Sequence, residues 1–263
     1  MTEYTTLLVE EHDGILHIRL NRPDRLNAFD GPMHRELTDL IGRLRRDCGA
    51  GAVVLSGVGR AFSAGGDADW IGSADEDQLD DFFADGRSLI DDLVRIEVPV
   101  IAAVTGPVIG LGATLALFAD IVVADETAVF ADPHVGMGVV AGDGGAVIWP
   151  LLMGLRAKRF LLTGDRLDAR AALQFGLIDE VVATGAAIDT AVGLARRLAD
   201  GPREAIAGTK ATANRILLSA LDEALQFGLD LERQTLRSAD HRAAVARFRE
   251  RNDRRTDGAA DDA

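Results

Sequence analysis

Apolar and polar positions alternate in short blocks through the first two thirds of the chain. Leu7-Leu8-Val9 and the run Ile15 to Leu20 read as two strands joined around Asp13-Gly14, a pair suited to a tight hairpin turn. Met33, Leu37, Leu40, Ile41 and Leu44 then recur at spacings of three and four, the apolar stripe of an amphipathic helix. Val53-Val54-Leu55, Val100 to Val104 and Ile121 to Ala124 are apolar runs bounded by glycine, proline or charge, the pattern of strands buried on both faces. Helices are expected between them over 79–94 and 112–119. Strands and helices in alternation predict an α/β core.

After about residue 185 the pattern becomes helical almost throughout. It predicts helices over 188–199, 203–218 and 222–250, with Gly201-Pro202 breaking the first from the second and Leu221, Leu225, Leu229 and Leu236 forming the stripe of the third. The expected organisation is an α/β core over 1–200 and a helical region over 201–250 that packs on the core or on a neighbouring subunit. A charged tail over 251–263, nearly devoid of apolar residues, is expected to fray.

Charge narrows the possible partners. The 28 basic residues are outnumbered by 42 acidic ones among 263, a formal net charge of −14, which argues against broad binding to nucleic acid or anionic membrane. Glu3, Glu10, Glu11 and Asp13 are out of place in a secretory signal, and no charge-free apolar run reaches the roughly 18 residues of a membrane helix. A single cysteine, Cys48, forms no internal bridge. The five histidines include no His-x-x-x-His pair, so no metal is expected. The expectation is a cytoplasmic protein acting on a small molecule.

Glycine clusters in three stretches, 57–66, 106–112 and 136–145, where tight turns or close backbone approach are to be expected. The first, Ser56 to Asp67, is neither a phosphate-binding P-loop nor a dinucleotide fingerprint. The second, Val104 to Leu115, runs from a buried strand into a helix of small residues, whose N-terminus presents unpaired N–H groups. Two such loops facing one another would give one donor each to a developing enolate; the alternative is that the glycines only permit close packing. The third, Asp132 to Gly145, contains His134 and Asp143, nine residues apart. An imidazole accepts a proton near neutrality, and a carboxylate beside it fixes its tautomer. A proline-adjacent loop histidine and a turn aspartate are the plain alternative.

Asn21-Arg22-Pro23-Asp24-Arg25-Leu26-Asn27-Ala28, Phe62 to Asp67, Gly106 to Gly112 with Ala119-Asp120-Ile121, and Phe175 to Val182 stand in the order and at the separations of the enoyl-CoA hydratase/isomerase (crotonase) superfamily, which the chain resembles over nearly its whole length. The resemblance implies a spiral of β-β-α units with a helical C-terminal region, assembled as a homotrimer or a dimer of trimers. It also implies an oxyanion hole formed by the backbone N–H groups of Ala64 and Leu111. Coenzyme A would enter only as part of an acyl-CoA substrate, with no cofactor bound permanently. Its neighbours would be Arg22, Arg25, Ala28, Asp67, Ala68 and Lys210. Trp70, Phe82, Phe83, Thr114 and Trp149 are candidates for the acyl pocket.

Typical hydratases of the family activate water with two glutamates, and the matching positions here are Thr114 and His134. A threonine is no carboxylate base, so His134 is expected to take the acid–base role. The spacing of His134 and Asp143 resembles that of the β-diketone hydrolase branch, to which 6-oxocamphor hydrolase belongs, and Glu232 falls close to the place of that branch's C-terminal glutamate. The readings are an enolate-stabilising acyl-CoA enzyme, a hydrolase cleaving a carbon–carbon bond of a β-diketone, and a trimeric scaffold without catalysis.

Overall fold

The computed structural model describes residues 4–260, and for 251–260 the backbone alone. Strands β1 (Leu7–His12) and β2 (Ile15–Leu20) pair antiparallel across Asp13 and Gly14, whose φ angles of 53° and 71° give the left-handed turn that suits a twisted hairpin. Helix α1 (Gly31–Arg46) starts where the Asp30 side chain accepts from the Met33 N–H, and it buries Met33, Leu37, Leu40, Ile41 and Leu44. Next come β3 (Ala52–Gly57), the short α2 (Ala68–Ile71) and α3 (Glu76–Arg95). Helix α3 begins three residues earlier than its apolar pattern suggests, because Asp75 and Gln78 cap each other's backbone N–H groups.

Two β-β-α units follow. The first is β4 (Val100–Val104), β5 (Pro107–Ile109) and α4 (Leu111–Leu117), and the second is β6 (Ile121–Asp125), β7 (Val129–Ala131) and α5 (Gly145–Met153). Helix α6 (Ala157–Thr163), β8 (Leu167–Asp168), α7 (Ala169–Gln174), β9 (Glu180–Val182) and α8 (Ala187–Ala199) complete the core. The main sheet has six strands in the order β1-β2-β3-β4-β6-β9, parallel except for the first pair; β5, β7 and β8 form a second, three-stranded sheet. Ser63 adds an isolated parallel bridge to Val108 of β5. The chain after β3 thereby repeats the β-β-α plan, its second strand reduced to one residue.

Alternate residues of the main sheet face opposite ways, as strand geometry requires. Ala52, Val54, Ile101, Ala103 and Val123 pack on Ala187, Ala191 and Ala195 of α8, and the other face meets the larger core formed by α1, α3, α4 and α5. Helix α9 runs unbroken from Arg203 to Leu236, and α10 spans Ala239–Ala260. This corrects the expected boundaries: nothing stops the helix near 219–221, and Leu221, Leu225 and Leu229 carry one buried stripe through that point. The break falls instead at Ser238, whose hydroxyl accepts from the His241 N–H. The backbone of 251–260 continues α10; the last three residues of the expected frayed tail lie outside the described residues.

The helical region packs on the core of its own chain. Lys210 pairs with Asp120 at 2.7 Å, Asn214 donates to the Val94 carbonyl at 2.8 Å, and Arg237 meets Glu76 of α3 at 3.4 Å. Among the described residues no helix is long and apolar enough to cross a membrane.

Candidate active site

Two loops are held side by side by the backbone of the second sheet. Ser63 N–H donates to the Pro107 carbonyl at 3.1 Å and Ile109 N–H to the Ser63 carbonyl at 3.0 Å. The Asn27 amide steadies the same loop through the carbonyls of Val58 and Ala61, at 3.0 and 2.9 Å. A Cβ on Gly65 would stand 2.8 Å from the Ile109 carbonyl oxygen, so only glycine admits this approach.

This register revises the expected oxyanion hole. The Ala64 N–H is spent on the Leu26 carbonyl, at 2.9 Å. Three residues beyond the bridged pair Ser63 and Val108 stand Gly66 and Leu111, where the two segments diverge. Gly66 is exposed, and its N–H has no acceptor among the described residues. Leu111 opens α4, where the first N–H groups of a helix have no partner within it. The pair of donors the geometry offers is therefore Gly66 and Leu111.

His134 lies beside that pair: a Cβ on Gly110 would stand 3.4 Å from its Cε1 atom. The ring is fixed from behind by Asp132, fully buried at the end of β7, whose Oδ1 lies 2.5 Å from His134 Nδ1. The other ring nitrogen faces two more carboxylates, Asp143 Oδ2 at 3.7 Å and Glu232 Oε1 at 3.9 Å. Gly142 brings Glu232 there, since a Cβ on it would collide with the Gly228 carbonyl of α9 at 2.1 Å. The side chains of His134, Asp143 and Glu232 retain only 17%, 11% and 9% of their exposure, so their charges interact with little screening.

These surroundings set the proton inventory. Burial lowers the proton affinity of His134, but Asp132, Asp143 and Glu232 outweigh it and raise the imidazole well above 6.5. Burial, with Asp143 adding to it, pushes Glu232 up to about 8. Burial likewise raises Asp143, against the pull of His134. His134 is therefore not the ordinary imidazole expected from the sequence: its carboxylate neighbours favour the protonated ring. Asp132, His134 and Asp143 also bring one metal-ligand atom each within 4.8 Å of one another, although the sequence suggested no metal.

Asp132 stands in the motif that contains His134 but was not singled out; its signal was the spacing, two residues before the histidine and across Pro133. The orienting carboxylate on Nδ1 is Asp132, whereas Asp143 faces the opposite nitrogen. Glu232 is buried on α9.

Other expected site residues have structural partners. Lys210 is committed to Asp120 and the Val98 carbonyl inside the protein, out of reach of a phosphate. Arg22 is held by Asp30 at 3.0 Å and Asp67 at 3.1 Å, and it also donates to the Ala28 carbonyl. Asp67 caps α2 through the N–H groups of Asp69 and Trp70, while the Ala68 carbonyl accepts from Gly72. Arg25 remains more than half exposed beside Asp69. Trp149 and Phe83 are core residues, Trp149 packing near Phe160. Phe82 packs between His34 and Trp70 where α1, α2 and α3 meet, its ring centroid 4.1 Å from that of His34 and 5.5 Å from that of Trp70. Thr114 is buried and bonded to Asp143.

Residues 10–257 match the family model described as enoyl-CoA hydratase/isomerase. The chain belongs to the enoyl-CoA hydratase/isomerase family. A 1,2-epoxyphenylacetyl-CoA isomerase of Escherichia coli K12 is 35% identical over 256 residues, covering 94% of this chain and 96% of that one. The crystal structure of an enoyl-CoA hydratase/isomerase from Mycobacterium paratuberculosis superposes with a TM-score of 0.90 at 38% identity, covering 94% of this chain and all of the other. A β-diketone hydrolase from Anabaena sp. PCC 7120, bound to (S)-3-oxocyclohexyl acetic acid, superposes with a TM-score of 0.80 at 30% identity, covering 94% and 96% of the two chains. The family's α/β fold, with β-β-α units and a helical C-terminal region, is the architecture described above.

Proposed function

We propose that the protein is an enolate-stabilising enzyme of the enoyl-CoA hydratase/isomerase family in which His134 does the acid–base work of the usual glutamate pair. The observation that carries this reading is the ring of His134, anchored at 2.5 Å by Asp132 and presenting its other nitrogen to Asp143 and Glu232 beside the N-terminus of α4. Neutral His134 would take a proton from the carbon beside the thioester carbonyl while donors at Gly66 and Leu111 hold the carbonyl oxygen as it takes up charge, and the imidazolium so formed would return that proton to another carbon of the extended enolate. Family membership supports an acyl-CoA thioester as substrate. Arg25, exposed at the mouth of the first loop, is the basic residue left for its phosphates. Cytoplasmic location and assembly as a homotrimer or pair of trimers belong to the same reading.

One observation favours a second reading. The gaps of 3.7 and 3.9 Å in front of His134 Nε2 are too long for direct hydrogen bonds, but a water can stand about 2.8 Å from the atoms on both sides of either gap. Deprotonated His134 would take a proton from that water as its oxygen attacks one carbonyl carbon of a cyclic β-diketone. The carbon–carbon bond then breaks, its electron pair forms an enolate at the other carbonyl, and the imidazolium protonates the enolate carbon. The product is a keto acid, and no other reactant is needed. The likeness to the Anabaena hydrolase supports this branch.

The test is a paired assay of the purified protein and its His134→Ala variant on crotonyl-CoA and on a cyclic β-diketone. Turnover of the thioester that depends on His134 supports the first reading, and turnover of the diketone alone supports the second. Variant turnover equal to wild type on whichever substrate reacts would refute the role of His134.

A further inference from the structure

Thr114 stands where typical hydratases of the family place a glutamate, and it touches Asp143, the carboxylate that faces the candidate acid–base group His134. It is wholly buried in the first turns of α4, and its hydroxyl lies 3.2 Å from Asp143 Oδ1. The Gly145 N–H donates to that same oxygen, also at 3.2 Å. The Thr114 methyl group packs against Gly144 in the turn between them. Two donors thus hold Oδ1, while Oδ2 is buried, has no hydrogen-bond partner among the described residues, and lies 3.7 Å from His134 Nε2.

We infer that Thr114 is a positioning residue whose hydroxyl locks the rotamer of Asp143 so that Oδ2 faces His134. The inference rests on the proposed acid–base role of His134. A carboxylate has two equivalent oxygens, and left to one backbone donor it rotates between them. A hydroxyl aimed at one oxygen removes that freedom and strengthens the bond by its charge. A glutamate at 114 would bring a second carboxylate against the buried Asp143, where like charges repel strongly. Threonine at 114 and aspartate at 143 are therefore one arrangement: the residue that stands in place of a carboxylate base holds the carboxylate that faces His134.

The test follows the His134 ring by NMR in the full-length protein labelled with 15N-histidine, its signals assigned by their absence from His134→Gln. No substrate is required. Thr114→Val keeps the shape and removes the donor, so ionised Asp143 loses support and does less to hold the imidazolium. The His134 midpoint should fall by about 0.5–1 pH unit. Thr114→Ala should fall as far, and Thr114→Ser, which keeps the hydroxyl, should titrate with wild type. A wild-type midpoint in Thr114→Val, or a shift in Thr114→Ser as large as in valine, would overturn the inference and leave only a packing role. If the midpoints behave as expected while turnover ignores His134, it is the proposed function that fails.

Discussion

Replacing His34 by leucine removes a proton-binding site from the interior of the protein. His34 lies on α1 at 1% exposure, its ring centroid 4.1 Å from that of Phe82 and 6.4 Å from that of Phe29. Neither ring nitrogen has a hydrogen-bond partner among the described residues. Burial, with Arg35 adding to it, lowers the imidazole from 6.5 to about 3. The folded state therefore refuses a proton that the unfolded chain takes up below pH 6.5, and stability is lost as pH falls from there toward 3. At about 1.4 kcal/mol per pH unit this amounts to roughly 2 kcal/mol at pH 5 and about 3 kcal/mol at pH 4. His34→Leu abolishes the loss, and because leucine leaves no polar atom unpaired it should be no less stable than wild type at pH 7.5. The assay is urea unfolding of both proteins at pH 7.5 and pH 5, at one protomer concentration so that association contributes equally. Subtracting variant from wild type at each pH cancels the other titrating groups. A difference that stays constant within about 0.5 kcal/mol between the two pH values would refute the reasoning.

Four further outcomes are expected. His134→Ala should lose at least about 100-fold in turnover on the true substrate with no change in size by light scattering. Asp132→Asn removes the carboxylate that holds the imidazolium, so the limb of the rate profile governed by His134, which lies above pH 6.5 in the wild type, should move to lower pH; a fixed limb would exclude the contact. Leu111→Pro deletes one N–H at a helix position that tolerates proline and should cost about 100- to 1000-fold in kcat while the circular dichroism is unchanged. Lys210→Met strands Asp120 half-way inside the protein, so it should destabilise the fold by about 2–3 kcal/mol in urea melts and leave acetyl-CoA affinity by calorimetry as it was.

Periodicity and glycine placement revealed the strands, most of the helices and the three loops that build the site, because each is a local property of the chain. What escaped was set by contacts between distant segments. No spacing rule shows that Ala64 N–H is consumed by Leu26, or that Ser63 is in register with Val108 and so leaves Gly66 and Leu111 opposite one another. Glu232 sits on a helix that reads as charged and solvated, and only the close passage of Gly228 over Gly142 turns it inward. Lys210 looked like a free cation for the reverse reason, its partner Asp120 being 90 residues away in sequence. The break expected near 219–221 does not occur, because Ser219-Ala220-Leu221 contains no glycine or proline and the apolar stripe of α9 continues through Leu221.

Helix α9, about 50 Å long at 1.5 Å per residue, joins the Lys210 anchor at the base of the sheet to Glu232 at the site. Its buried Leu221, Leu225 and Leu229 belong to the same core as α1 and α3, so the helix that carries Glu232 to the site is also part of what holds the fold. One rod thus ties the interior of the fold to the carboxylate beside His134, and a nick within it would be felt in both places at once.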